Sequence, residues 1–419
     1  MQHSTLTSLV IAVAATFGCA YPKFEKTVSQ ESGGAAGNES GTATAGAEQG
    51  GAAGKGGTDS NGGGSSARGG SVGSQGGSAN GGNTNGGNAS SQGGGSVSQG
   101  GGSSLGGTGS GAGSSTIGQL SCQTLVAKCQ SESCCTAIQL SSGSFPMGRS
   151  TVNSGTDNFA SGASAELPEH TTTLSLFAMD KYEVTVGRFR AFVDAYDNWH
   201  GVGANPQVGD GANSKTANSG WGQSWTTSPT DLPADSNALK TAIQCDASST
   251  WNATPSTSDS YPINCISWFV AFAFCVWDGG RLPTEAEWEF VAAGATQNRL
   301  YPWGSGAPDA TRANFLSSAA SSKIAVGSTI ANGAGFFGHA DLAGSVSEWV
   351  LDWYAPDYYG PTAAPVPCGD CANTTTASDR VFRGGEFSSN GYTLRVAYRG
   401  FRPPSPGTKG SGIRCARNP

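Results

Sequence analysis

Residues 281–294 read RLPTEAEWEFVAAG, and their reading decides the fold. Thr284 and Glu287 form a capping box directly after Pro283, which predicts a helix start, and the apolar residues that follow supply its buried face. Two further stretches read as helices. Within Val184 to Tyr196, Val186, Phe189, Phe192 and Val193 recur at helical spacing, after a strand-like start at LFAMD. ISWFVAFAFCVWDGG is apolar nearly all round, as a buried helix is, and ends at a Gly-Gly stop. AIQLSSGSFPMG, opening at Ala137, reads as a short strand with turn chemistry. Long Gly/Ser/Asn/Pro stretches with isolated tryptophans separate these elements. The fold class is therefore α+β, irregular and loop-rich, with aromatic anchors and disulfides fixing the loops.

The chain has 419 residues, of which 65 are glycine, concentrated before residue 118. Beyond that point remain about 300 residues and every tryptophan, enough for one large domain with a substantial core. The net charge of -7 gives no global field for nucleic acid or an anionic membrane. Leu6 to Phe17 is an apolar run too short to span a bilayer but suited to a signal-peptide core. We read residues 1–19 as a signal peptide ending in a lipobox-like Gly18-Cys19, with Cys19 as the lipidation site. Residues 20–118 are low-complexity Gly/Ser/Ala/Asn/Gln and cannot bury enough surface to offset ordering entropy, so they read as a disordered tether. About 90 such residues would span on the order of 50 Å. A Cys-rich segment at 119–141 leads into a domain at 142–417.

Of the 11 cysteines, ten follow Cys19, an even number that in an exported chain favours disulfides. Cys122, Cys129, Cys134 and Cys135 form either two local bridges or links into the domain, and spacing does not choose between them. Cys368-Gly-Asp-Cys371 has zinc-ligand spacing, but no second such pair or nearby histidine completes four ligands. The four histidines show no paired metal-ligand spacing either.

Taken in order, GSFPMG, DKYEVTVGRFRAFV, PINCISWFVAFAFC, GGRLPTEAEWEF, YPWG, DLAGSVSEWVLDW, RVFRGGEF and GIRCAR form a series. That series, covering Gly143 to Arg417, resembles the formylglycine-generating enzyme or sulfatase-modifying factor family, which implies a C-type-lectin-like fold. In active members two cysteines downstream of the RGG motif bind copper and activate oxygen, converting a substrate cysteine to formylglycine. The corresponding positions here are Ser389 and Leu394, which supply no thiolate for Cu(I). Glu386 stands where the family has serine, and Ser347 where it has tryptophan. The resemblance thus implies a degenerate site without copper. Cys368 and Cys371 lie upstream of RGG and do not replace the missing pair.

The resemblance also implies a Cys275–Cys415 disulfide. Cys245 and Cys265 flank a loop of about 20 residues and are expected to pair, a closure that would contribute about 3 kcal/mol in the chain-entropy picture. Cys368–Cys371 is the remaining expected bridge. Residues 341–348, DLAGSVSE, resemble the family's calcium loop. Asp341 and Glu348 would supply carboxylates, and Leu342, Gly344 and Val346 carbonyls, an all-oxygen set suited to Ca²⁺. A second family calcium site would begin at Asn314.

Arg383, Arg395, Arg399, Arg402 and Arg414 cluster late in the chain. Family arginines pair with carboxylates such as those of the TEAEWE helix. The alternative expectation puts Arg395 and Arg399 in the substrate groove with Glu386 and Ser389. The expected function is a non-catalytic binding module of the cell envelope, exported, lipid-anchored and calcium-stabilised. Its partner would be a peptide, a glycan or an envelope protein, and not nucleic acid. The competing expectations are a formylglycine-generating oxidase with a non-standard site, and a different reaction with Glu386 as base.

Overall fold

The computed structural model describes residues 119–123, 125, 127–149, 164–225, 231–316, 323–360 and 368–419. The expected signal peptide, Cys19 and tether lie outside these residues.

The chain enters through a two-stranded hairpin, β1 (Lys128–Cys129) and β2 (Glu132–Ser133). Cys122–Cys135 and Cys129–Cys134 close it, so the four clustered cysteines bridge locally. The stretch opening at Ala137 supplies two strands rather than one, β3 (Ala137–Leu140) and β4 (Gly143–Met147). β5 (His170–Leu174) and β6 (Phe177–Asp180) follow.

Helix α1 (Val186–Tyr196) buries Val186, Phe189, Phe192, Val193 and Tyr196, the face its periodicity marks. Thr185 caps it, accepting from Arg188 N. The short α2 (Ser236–Ala242) is capped by Asp235. In α3 (Trp268–Trp277) only Val276 falls short of full burial, as its continuous apolar sequence requires. Helix α4 (Glu285–Ala293) carries both bonds of the Thr284–Glu287 capping box and ends at Gly294 in the left-handed region.

Downstream lie α5 (Ile330–Gly333), β7 (Ser347–Trp353), β8 (Cys368–Gly369), β9 (Arg380–Arg383), β10 (Gly400–Arg402), β11 (Ser411–Gly412) and β12 (Ala416–Arg417). A four-stranded sheet runs β10-β9-β7-β11, and two three-stranded sheets run β12-β6-β3 and β4-β5-β8. The C-terminal β12 thus returns to pair with β6, near the beginning of the domain. Cys275–Cys415 ties α3 to that returning segment, and Cys245–Cys265 and Cys368–Cys371 close the remaining bridges.

The largest core cluster packs α1 against α3 and Trp349, and a second packs α4 against β3 to β6. Polar atoms of the tryptophans are satisfied inside. Trp268 Nε1 donates to Val350 O and Trp349 Nε1 to Ile266 O, each at 2.8 Å. Arg380 is sandwiched between the rings of Trp268 and Trp353, 3.5 Å from each centroid.

Candidate functional site

Strand β7 carries Ser347 and Glu348 beside β9, in register Glu348↔Arg383 and Trp349↔Phe382. β9 ends at Gly384 and Gly385, with φ of 88° and 71°. A side chain at Gly385 would meet Leu394 Cδ2 and Thr393 Oγ1 at 2.9 Å, so glycine lets this turn close against the 393–394 segment.

The turn leads into the degenerate positions. Glu386 N donates to Ser389 Oγ at 3.1 Å, and Ser389 N to Glu386 O at 2.8 Å, a local serine turn. The Glu386 carboxylate accepts from Ser388 Oγ at 2.7 Å and lies 3.5 Å from Arg402 Nη2. Leu394 is buried among Tyr301, Ala313, Phe315 and Ala343. Ser347 is buried beside the C-terminal loop, its amide donating to Gly410 O at 2.6 Å. Leu394 is thus a core side chain. All ten cysteines among the described residues are in disulfides.

The groove expectation for Arg395 and Arg399 is corrected. Both are buried and turned inward: Arg395 holds Glu166 through two 2.7 Å bonds, and Arg399 meets Glu285 at 2.7 and 2.9 Å. The reason is electrostatic. Glu166 and the α4 residues Glu285 and Glu289 are buried, and buried carboxylates draw in guanidinium partners. Arg383 bonds both, at 2.8 and 2.6 Å.

The 341–348 loop sits in a different charge environment. Asp341 is buried with φ 57°, and its Oδ2 accepts from Gly327 N at 2.5 Å. Burial pushes its carboxyl up to about 6, with the Glu348 charge adding to the rise. Glu348 is held by Arg414 at 2.6 Å and by Trp288 Nε1 at 2.7 Å. Glu183 accepts from Val346 N at 3.0 Å and Ser345 Oγ at 3.1 Å, and burial, Asp341 and Glu348 together raise its carboxyl well above the usual range. Asn314 lies alongside, forming a bridge with Gly344 and accepting from Ser345 N at 2.9 Å. Three buried carboxyls thus share one guanidinium, Arg414. The all-oxygen donors and the unbalanced negative charge fit a hard dication, although Arg414 already engages Glu348.

Sequence reading missed Glu183 here. A signal existed: it is the acidic residue between the apolar Tyr182 and Val184, just after the strand-like LFAMD run. Sequence reading also missed Lys323, which is buried and follows a Ser/Ala-rich stretch of sequence that carries no pattern.

Comparison with known proteins identifies the family. Residues 122–419 match the sulfatase-modifying factor enzyme 1-like domain. The formylglycine-generating enzyme of Streptomyces coelicolor is 30% identical over 314 residues, covering 67% of this chain and 88% of the relative. That of Mus musculus is 28% identical, covering 65% and 74%. Among solved structures, PvdO from Pseudomonas aeruginosa has a TM-score of 0.45 at 22% identity, covering 67% of this chain and 94% of that one. With its RGG turn and TEAEWE helix in place and its family match spanning the folded part, this chain belongs to the sulfatase-modifying factor enzyme 1-like family.

Proposed function

We propose that this protein is an exported, lipid-anchored, non-catalytic binding module of the cell envelope, built on a formylglycine-generating-enzyme-like scaffold. The observation that carries the reading is the fate of the two copper positions. Ser389 is engaged in a local turn, Leu394 packs in the core, and no described cysteine is a free thiol. Cu(I) chemistry of the family's kind needs thiolates. Cys19 would carry the lipid, and residues 20–118 would let the domain reach a peptide, glycan or envelope-protein partner around its anchor.

Calcium would stabilise the module. Asp341, the carbonyls of Leu342, Gly344 and Val346, and Glu348 would hold it, with Glu183 adding negative charge behind the loop and Asn314 beside it. The ion would supply structural charge balance and no reaction step.

The test is direct. The refolded protein is offered a Cys-x-Pro-x-Arg peptide with Cu(I) and oxygen, and the mass of the peptide cysteine is followed. The expected result is no conversion. Conversion that disappears on substituting a cysteine would establish the oxidase reading instead. If another activity is found and Glu386→Gln abolishes it without moving the thermal midpoint, Glu386 is a base and the module is catalytic.

A further inference from the structure

Residues 248–252, Tyr261 and Lys323 line a cavity of about 510 Å³, within the range of roughly 300–1,000 Å³ common for small-ligand sites. We infer that this cavity binds an acidic sugar of the uronic-acid type, with Lys323 taking the carboxylate and Trp251 and Tyr261 offering aromatic faces to the ring. The inference does not depend on whether the degenerate site is catalytic.

Lys323 is the first argument. It is only 5% exposed, yet among the described residues it forms no ion pair. Its ammonium donates to Ser248 O and lies 4.2 Å from the Phe387 ring centroid. An ammonium has three donors, and these contacts include no counter-charge. The acidic groups whose fields reach it are Asp246 and Glu386, and both are committed elsewhere. Asp246 accepts from Ser248 N at 2.7 Å and Ser248 Oγ at 2.6 Å, while Glu386 is held by Ser388 and Arg402. Five other buried cations, Arg188, Arg281, Arg383, Arg399 and Arg414, each meet a carboxylate, and Arg380 is instead enclosed between the Trp268 and Trp353 rings; Lys323 alone of these seven stands on the wall of this cavity. Leaving a charge buried without a partner is costly, so a buried cation on a cavity wall marks a place for an external anion.

The rest of the wall defines what carries that anion. Apart from Ala247, no aliphatic side chain lines it; the remainder is Trp251, Tyr261, Lys323 and small hydroxyl or amide residues. Aromatic faces match the C–H face of a sugar, and a polar rim matches its hydroxyls.

The wall is also built in advance. Trp251 packs edge-on to Phe189, with centroids 6.3 Å apart. Thr250 Oγ1 donates to Pro262 O at 2.7 Å, Thr250 N to Asn264 Oδ1 at 2.8 Å, and Ser249 Oγ to Ile243 O at 2.8 Å. The Cys245–Cys265 bridge anchors the segment's approach. A wall fixed beforehand loses little conformational freedom on binding.

The experiment is calorimetric titration of the refolded full chain with glucuronate, glucose, benzoate and an alginate oligomer. Glucuronate should bind at least tenfold more tightly than glucose or benzoate. Lys323→Gln should weaken it at least tenfold while leaving the thermal midpoint near that of the parent. Tyr261→Ala gives a second variant on the rim if Lys323→Gln fails to fold. Binding of alginate alone supports the same chemistry with a polymeric source. Equal binding of glucose, benzoate binding as tight as glucuronate, no response to any acid sugar, or an unaffected Lys323→Gln variant would each overturn the inference.

Discussion

Glu285 and Arg399 form a buried pair at 2.7 and 2.9 Å, joining the first turn of α4 to the residue just before β10. Arg383 of β9 meets the same carboxylate at 2.8 Å, so Glu285 serves two guanidinium groups at once. These charges hold the carboxyl below its ordinary range against the opposing effect of burial. Glu285→Gln keeps the shape and removes the charge, leaving Arg399 without an ion pair among the described residues. Breaking a buried pair on one side costs about 3–5 kcal/mol, and denaturant unfolding should show a loss of that order. A loss under about 1 kcal/mol, the value of a surface pair, would show the cluster to be dispensable.

Leu394, at the position we propose to correspond to the second copper cysteine, tests whether that position serves packing. Its side chain fills a cluster with Tyr301, Ala313, Phe315 and Ala343. Leu394→Ala should cost about 2–5 kcal/mol through lost burial and a residual cavity. A neutral effect would mean that the position is tolerant and that its departure from cysteine carries no structural gain.

Calcium should raise the thermal midpoint by mass action, by about 2.7 kcal/mol of stability at a free concentration a hundred times Kd, and a chelator should reverse it. Asp341→Ala should abolish the response, and Glu183→Gln should weaken it by removing charge behind the loop. An intact response in Asp341→Ala would place any calcium elsewhere.

The sequence reading of the fold succeeded where local rules and burial agree. The capping box at Thr284 and Glu287, the periodic face of α1 and the all-apolar α3 each appear as elements. Helix α2 was missed because seven residues with only Leu239 as a buried large apolar side chain show no period, leaving Asp235 as the sole start signal. The site was legible only as identities at positions. That Arg395 and Arg399 point inward and that Glu183 joins Asp341 and Glu348 depends on long-range placement, whereas the turn of Ser389 back on Glu386 is local. Lys323 was invisible for the same reason, since its burial comes from Ser248 and Phe387, far away in the chain.

Asp352 gives a pH prediction with a definite sign. It is wholly buried, accepting from Glu285 N and Asn373 N at 2.7 Å each. Burial, followed by the Glu285 charge, pushes its carboxyl from 3.8 up to about 7. A carboxyl raised in the folded state holds its proton there while the unfolded chain releases it. Between pH 4 and 7 the folded state therefore binds more protons, and stability falls as pH rises. Asparagine cannot ionise, so Asp352→Asn removes this contribution. The stability of the parent relative to Asp352→Asn should decline from about pH 4 to about pH 7 and then level off, as read from denaturation midpoints across that range. A difference that stays flat, or that grows with pH, would mean that Asp352 is ionised in the folded protein and that the bonds from Glu285 N and Asn373 N outweigh burial.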